Sequence, residues 1–138
     1  ESHTVFISGE AGIGKSRLVE ELDAFGRAMR VRMLACRCVS RQWTYPYQPF
    51  VDAIRGFFEN KGMTSPEMFE NFVRELAPEL VQRVPVLQAF LNIGDRSESE
   101  LGSKEQLWDT VCTLLRKISE NRPLILFVDD DSPYRLLA

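Results

Sequence analysis

The eight residues from Gly9 to Ser16 constrain this chain more than any other stretch. They read Gly-Glu-Ala-Gly-Ile-Gly-Lys-Ser and complete the GxxxxGK(S/T) pattern of a phosphate-binding loop. An apolar run at residues 4–8 precedes them, and an amphipathic stretch follows them. This is the strand–loop–helix setting that the pattern requires. The sequence therefore predicts an anion site built largely from backbone N–H groups.

The residue types in this loop suit the binding of phosphate and Mg²⁺. Glycine has no Cβ, so the backbone can come close to a phosphate and turn several N–H groups toward it. The N-terminus of the following helix adds partial positive charge. Lys15 is expected to contact the β- and γ-phosphates, and Ser16 to ligate Mg²⁺. Arg17 lies either on the solvated helix face or near the nucleotide. The predicted nucleotide-binding residues are Gly9, Glu10, Ala11, Gly12, Ile13, Gly14, Lys15, Ser16 and Arg17.

The run at residues 124–128 predicts the second half of the site. It is a continuous apolar strand that leads into three consecutive acids. In open α/β sheets ligands bind at the carboxyl ends of the strands, and Mg²⁺ prefers oxygen ligands. Asp129 is therefore expected to hold Mg²⁺ through water together with Ser16. Asp130 is the predicted catalytic carboxylate that orients or deprotonates an attacking water, with Lys15 as the second catalytic residue.

Composition excludes several classes of function. The 138 residues carry a net charge of −3, so no basic field favours direct contact with nucleic acid. No apolar run approaches the length of a membrane span. The three cysteines are Cys36, Cys38 and Cys112, and the single histidine is His3. This set favours reduced, small apolar side chains in a cytoplasmic protein over a metal site.

The periodicity predicts an α/β fold with a parallel sheet. Three strands are expected, at residues 4–8, 31–39 and 124–128, with helices on both faces. The first strand, a helix at residues 15–29 and the second strand would form a βαβ unit over residues 4–39. An apolar stripe on the helix is formed by Leu18, Leu22, Phe25 and Met29.

The middle of the chain predicts helices separated by turns. A helical insertion is expected over residues 49–92, and the last helix and the acid-bearing strand over residues 103–130. Ser65 and Ser103 are predicted N-caps, because each precedes a helical pattern with a Glu or Gln in its first turn. The polar residues 92–102 predict an exposed, mobile loop. The aromatic residues 41–49 predict a loop that packs normally, covers a nucleotide base or contacts a partner.

Three stretches together resemble a known family. The loop Gly9–Leu18, the segment Pro46–Phe50 and the run Arg122–Asp130 are similar to AAA-like ATPase domains of the signal-transduction (STAND) type. The resemblance spans about residues 4–130 and implies a P-loop NTPase-like fold. Such domains belong to large bacterial transcriptional regulators and to proteins that carry cyclase or kinase modules. The resemblance implies binding of ATP with Mg²⁺ and slow hydrolysis that serves as a conformational switch.

The chain departs from the family pattern in two respects, and two alternative functions are left open. Residues 131–138 do not match the aromatic and histidine-containing segment that usually follows the paired acids. In the family's sheet order a fourth strand separates the loop strand from the acid-bearing strand, and this chain shows no candidate for it. The expectation is thus a partial ATPase domain over residues 1–138, with partners in other domains of the parent chain and possible self-association. A non-catalytic, nucleotide-ordered interaction module and a small-molecule phosphotransferase are the alternatives.

Overall fold

The computed structural model describes residues 3–38 and 47–130, with backbone only for Arg37, Cys38 and Asp130. The helices are α1 (Lys15–Ala28), α2 (Gln48–Asn60), α3 (Pro66–Leu76), α4 (Val84–Leu91) and α5 (Lys104–Asn121), and the strands are β1 (Arg32–Cys38) and β2 (Leu124–Asp130). Short 3₁₀ helices lie at Pro78–Arg83 and Glu98–Leu101. The predictions for residues 41–46 and for the tail at 131–138 lie outside the described residues.

The sheet of the described residues has two strands, and they are parallel as predicted. β1 and β2 pair in register from Arg32 opposite Leu124 to Cys38 opposite Asp130. The expectation of three strands is wrong for this structure, because residues 4–8 form no ladder with either strand. A strand is held by the backbone groups of a neighbouring strand. Without such a neighbour, the side chains of Val5 and Phe6 lie 81% and 91% exposed.

The hydrophobic core lies between the sheet and the helices α2 to α5. These helices bury one apolar stripe each, as their 3.6-residue periodicity predicts. From the sheet, Leu34 and Cys36 of β1 join the core. The largest fully buried side chains are Phe58, Phe69, Ile54, Leu87, Leu91, Leu114 and Ile118. Burial of Cys36 agrees with its predicted role as a small apolar side chain, whereas Cys112 is exposed.

The core covers β1 more fully than β2. Opposite residues in a parallel pair point to the same face, so Leu34 and Cys36 share a face with Leu126 and Val128. Leu34 and Cys36 are buried, but Leu126 and Val128 are 37% and 46% exposed. The continuous apolar run of β2 is typical of a strand that is covered on both faces. On this face, however, the helices cover β2 only in part.

Helix α1 forms at its predicted position, but its apolar stripe is not packed. Leu18, Phe25 and Met29 are exposed, and Gly26 is the one buried residue of the helix. The Val31 N–H donates to the Gly26 carbonyl and closes the turn that joins the C-terminal end of α1 to β1. The helix is thus attached at one end, and its stripe remains in solvent. Among the described residues no helix is long and apolar enough to cross a membrane.

The segment at residues 92–102 is largely exposed, as expected, and contains a short 3₁₀ helix. The 3₁₀ helix at Glu98–Leu101 begins with a capping box between Ser97 and Glu100. The Ser97 N–H donates to the Glu100 carboxylate at 3.0 Å, and Arg96 donates to the same carboxylate at 3.1 Å. Local hydrogen bonds of acidic and hydroxyl side chains therefore replace the expected irregular loop.

Replacement of Ser103 by alanine is expected to lower the free energy of unfolding by about 1 kcal/mol. The Ser103 hydroxyl accepts a hydrogen bond from the Gln106 N–H at 3.2 Å at the start of α5, and this donor has no partner within the helix. Urea denaturation followed by circular dichroism measures the change. Ser103→Gly is the control, since glycine at an N-cap costs only a few tenths of a kcal/mol. Equal stability of Ser103→Ala and the unmodified chain would show that the cap is unimportant.

Candidate nucleotide-binding site

The loop between residues 9 and 16 turns on two glycines with left-handed backbone angles. Gly12 has φ of 82° and Gly14 has φ of 108°, and these angles favour glycine strongly. Between them the Ile13 N–H donates to the Glu10 carbonyl at 3.3 Å and closes a tight turn. Helix α1 begins directly after Gly14, and the Leu18 N–H donates to the Gly14 carbonyl. The turn and the helix start are thus one continuous element.

At Gly9 a side chain would be crowded by Ile13, and the backbone angle sets no demand for glycine. A Cβ at this position would lie 2.9 Å from Cγ2 of Ile13, closer than nonbonded carbon atoms approach. Ile13 therefore folds back over the beginning of the loop. By contrast, a Cβ at Gly12 or Gly14 would meet nothing within 4 Å. The loop is closed on the side of Ile13 and open where Gly12 and Gly14 lie.

Lys15 folds back along the loop that carries it. Its ammonium group donates to the carbonyl oxygens of Gly9 and Glu10, the second at 3.0 Å. Within the described residues it forms no ion pair with a carboxylate. Carbonyl oxygens are neutral acceptors, so the charge of Lys15 remains available to an anion that enters the loop. The sequence pattern gives the lysine but does not show these two acceptors.

The N-terminus of α1 has no competing anion. Gly14 precedes the helix without a side-chain cap, and the first turn holds no acidic residue. The first N–H groups of a helix have no partner inside it and carry the positive end of the helix dipole. Arg17 lies on the exposed face and donates to Glu21 at 3.1 Å, so its side chain points along the helix rather than into the loop. The arrangement suits a phosphate group at the helix start.

Two oxygen groups are candidates to bind a cation. Ser16 follows Lys15 in the first turn of α1, and Asp129 lies at the carboxyl end of β2. Within the described residues neither side chain forms a hydrogen bond or an ion pair, and no cluster of three acidic, histidine or cysteine side chains is present. Mg²⁺ commonly uses one or two protein oxygens and keeps several waters, so each of these groups has the chemistry of a Mg²⁺ ligand.

The two halves of the predicted site are not joined in this structure. Among the described residues no hydrogen bond or ion pair connects the loop with β2. The backbone of Asp130 ends β2 opposite Cys38, but its side chain lies outside the described residues. The sheet explains the gap, because residues 4–8 do not pair with β1 or β2. In the part of the chain that the structure describes, the hydrogen bonds that shape the loop are local.

Comparison with known families identifies the chain. A family model described as an AAA ATPase domain matches residues 1–131. The chain belongs to the AAA ATPase domain family. No curated protein and no solved structure matches it significantly. The match includes both the loop at Gly9–Ser16 and the acid-bearing strand β2.

Membership of the AAA ATPase domain family makes the chain a nucleotide-binding ATPase module of the P-loop type. AAA ATPase domains generally use ATP and Mg²⁺, which are the ligands that the loop and the two oxygen groups suit. The expected resemblance to AAA-like ATPases is confirmed at this level.

Gly14→Ala is expected to weaken nucleotide binding about tenfold or more, since one strained residue costs of order 1–3 kcal/mol. Alanine at a φ of 108° is strained, so the turn would shift and redirect the N–H groups. Titration with a fluorescent ATP analogue measures the affinity. Gly56→Ala is the matched control, since this glycine has no positive φ and a Cβ there meets nothing within 4 Å. Equal affinities of the two variants would contradict the role assigned to the turn.

Proposed function

We propose that this chain is the Mg-ATP-binding module of a signalling ATPase of the STAND type, whose slow hydrolysis belongs to the complete protein. The observation that supports it best is the loop conformation. Gly12 and Gly14 take left-handed angles directly before a helix N-terminus without a side-chain cap, and among the described residues Lys15 donates to two carbonyl oxygens. These three features together favour a polyphosphate over a single small anion.

The proposed roles follow from charge and position. The N–H groups at the start of α1 and the ammonium of Lys15 bind the phosphates, and Gly9, Glu10, Ala11 and Ile13 shape the loop. Ser16 and, through water, Asp129 hold Mg²⁺, which neutralises phosphate charge when bound. Asp130 would position or deprotonate the attacking water at the carboxyl end of β2. Arg17 lies at the rim of the loop and pairs with Glu21, so its proposed role in nucleotide binding is minor.

Titration of the chain with a fluorescent ATP analogue, with and without Mg²⁺, tests this proposal. Saturable binding that Mg²⁺ strengthens is expected, with unlabelled ATP displacing the analogue. The loop recognises phosphates and not a base, so displacement by ADP but not by AMP would show that the β-phosphate is required. Absence of saturable binding in both conditions would contradict the proposed function.

A signalling role rests on the resemblance and on one property of the structure. Apolar side chains of α1 and β2 are exposed, among them Leu18, Phe25, Leu126 and Val128. Surfaces of this kind are covered by other domains in multidomain proteins. We therefore propose that a nucleotide-dependent rearrangement is transmitted through contacts with other domains of the parent chain, as in the regulation of transcription.

A further inference from the structure

A groove separates the outer edge of β1 from helix α2. It has a volume of about 450 Å³ and is lined by residues 32–35 of β1 and by the face of α2 between Asp52 and Lys61. The phosphate-binding loop does not contribute to it. We call it the β1–α2 groove. Neither the AAA ATPase domain match nor the proposed nucleotide site gives it a role.

One wall of the β1–α2 groove is the free edge of a strand. The Arg32 N–H donates to the Pro123 carbonyl at 2.8 Å, so Arg32 turns its backbone groups toward β2. Backbone direction alternates along a strand, and Met33 and Ala35 therefore turn their N–H and C=O groups away from β2. Within the described residues no other segment forms a backbone hydrogen bond with them. These groups are spaced to pair with another extended backbone.

The opposite wall leaves room for such a backbone. Gly56 lies in the middle of α2 on the groove side, and a Cβ built there meets nothing within 4 Å. Glycine within a helix costs about 1 kcal/mol relative to alanine. Because Gly56 has no side chain, the groove stays open toward Met33 and Ala35. An extended segment fits this shape better than a helix, because the groove follows a strand edge.

Charge distinguishes the two ends of the groove. The Arg32 guanidinium lies 5.2 Å, and the Lys61 ammonium 5.3 Å, from the ring centroid of Phe57. Burial, and then the positive charge of Arg122, lower the pKa of Arg32. Among the described residues none of these three cations pairs with a carboxylate. An incoming carboxylate would therefore be stabilised at this end.

The other end of the groove carries the opposite sign. Asp52 lies about 13 Å along α2 from Lys61, at 1.5 Å per residue. Its carboxylate accepts a hydrogen bond from the Gln48 side-chain amide at 2.7 Å and forms no ion pair among the described residues. Asp52 would repel an acidic group. The two ends together fix the direction in which an acidic segment could lie.

We propose that the β1–α2 groove binds an extended peptide segment of a partner protein, which pairs with the free edge of β1 and places an acidic side chain beside Arg32 and Lys61. Backbone hydrogen bonds to Met33 and Ala35 supply most of the affinity, and the cations on Phe57 supply the preference for acid. The net charge of −3 argues against a nucleic acid as the occupant.

The test uses the full chain and three synthetic peptides. The first is an eight-residue, fluorescein-labelled peptide of alternating threonine and valine with two glutamates at one end. The second has lysines in place of the glutamates. The third keeps the glutamates but carries backbone N-methyl groups on the alternate residues whose N–H groups would pair with β1. Fluorescence anisotropy is expected to show saturable binding of the first peptide and at least about tenfold weaker binding of the other two, which lose a charge pair or backbone hydrogen bonds.

Two substitutions locate the binding to the groove. Gly56→Gln is expected to weaken binding of the acidic peptide about tenfold by filling the groove, and Lys61→Glu by a similar factor through charge reversal. Lys104→Glu is the matched control, because it makes the same charge change far from the groove. Lys104 begins α5, whereas the Arg32 guanidinium donates to the carbonyl of Ile118 near the other end of that helix. Neither Gly56→Gln nor Lys61→Glu should alter binding of the ATP analogue.

Several results would overturn the proposal. These are absence of saturable binding, equal affinity for the N-methylated peptide, or equal effects of Lys61→Glu and Lys104→Glu. Pairing between two copies of the chain is the competing use of a free strand edge. Analytical ultracentrifugation would then show a dimer that Gly56→Gln dissociates, and that result would also overturn the peptide proposal. Loss of ATP-analogue binding alone would contradict the proposed function and leave the groove unaffected.

Discussion

Lys15→Ala is expected to weaken binding of the fluorescent ATP analogue at least tenfold, because a charged hydrogen bond contributes about 1.5–3 kcal/mol. In the structure the ammonium of Lys15 is held by the carbonyl oxygens of Gly9 and Glu10, which are neutral acceptors. A phosphate that replaces these carbonyl oxygens is negatively charged and therefore attracts the ammonium more strongly. The free energy of unfolding should change by less than about 0.5 kcal/mol, because both hydrogen bonds are exposed.

Arg17→Ala is the matched control for this result. It removes a positive charge two residues away, but the Arg17 side chain pairs with Glu21 on the exposed face of α1. An exposed pair of this kind contributes about 0.5 kcal/mol or less. Binding should therefore fall less than threefold in Arg17→Ala. Equal losses in the two variants would indicate general attraction of the anion to a basic surface, and unchanged binding in Lys15→Ala would exclude the loop as the site.

Phe58→Ala is expected to lower the free energy of unfolding by about 3–5 kcal/mol. The Phe58 side chain is 1% exposed at the centre of the core. It makes edge contacts with the rings of Phe57, Phe69 and Phe72, at centroid distances of 5.2, 4.9 and 5.4 Å. Truncation removes these contacts and leaves a cavity between α2 and α3. Chemical denaturation measures the loss.

Phe6→Ala provides the same chemical change at an exposed position. The Phe6 ring is 91% exposed, so its removal should change stability by less than about 0.5 kcal/mol. A large loss in Phe6→Ala would show that residues 4–8 pack in solution, and so restore the predicted first strand. Similar, small effects of both substitutions would contradict the placement of Phe58 in the core.

Local signals in the sequence predicted the helices well. Ser65 and Ser103 cap α3 and α5 as expected, since a hydroxyl that accepts from a backbone N–H needs only residues three positions apart. The stripes of α2 and α5 become buried because other helices and β1 cover them. The loop at residues 9–16 is likewise local, and the sequence motif includes each glycine that the turn requires.

Long-range features were not predictable in the same way. Residues 4–8 have the composition of a strand, but a strand also needs a neighbour, and the described residues offer none. The stripe of α1 stays exposed for the same reason, since helical periodicity shows which face is apolar and not what covers it. The two cations over Phe57 come from residues 32 and 61, whose separation in sequence gives no pattern to recognise.

The central claim is that the loop at Gly9–Ser16 and the end of β2 form one Mg-ATP site, and Asp129→Asn tests it most directly. Titration calorimetry with ATP, with and without Mg²⁺, compares this variant with Asp95→Asn, which neutralises an exposed acid in the segment after α4. We expect one ATP site in all three proteins, with tighter binding in Mg²⁺ for the unmodified chain and Asp95→Asn but little gain for Asp129→Asn. An equal effect of Mg²⁺ in all three proteins would contradict the claim.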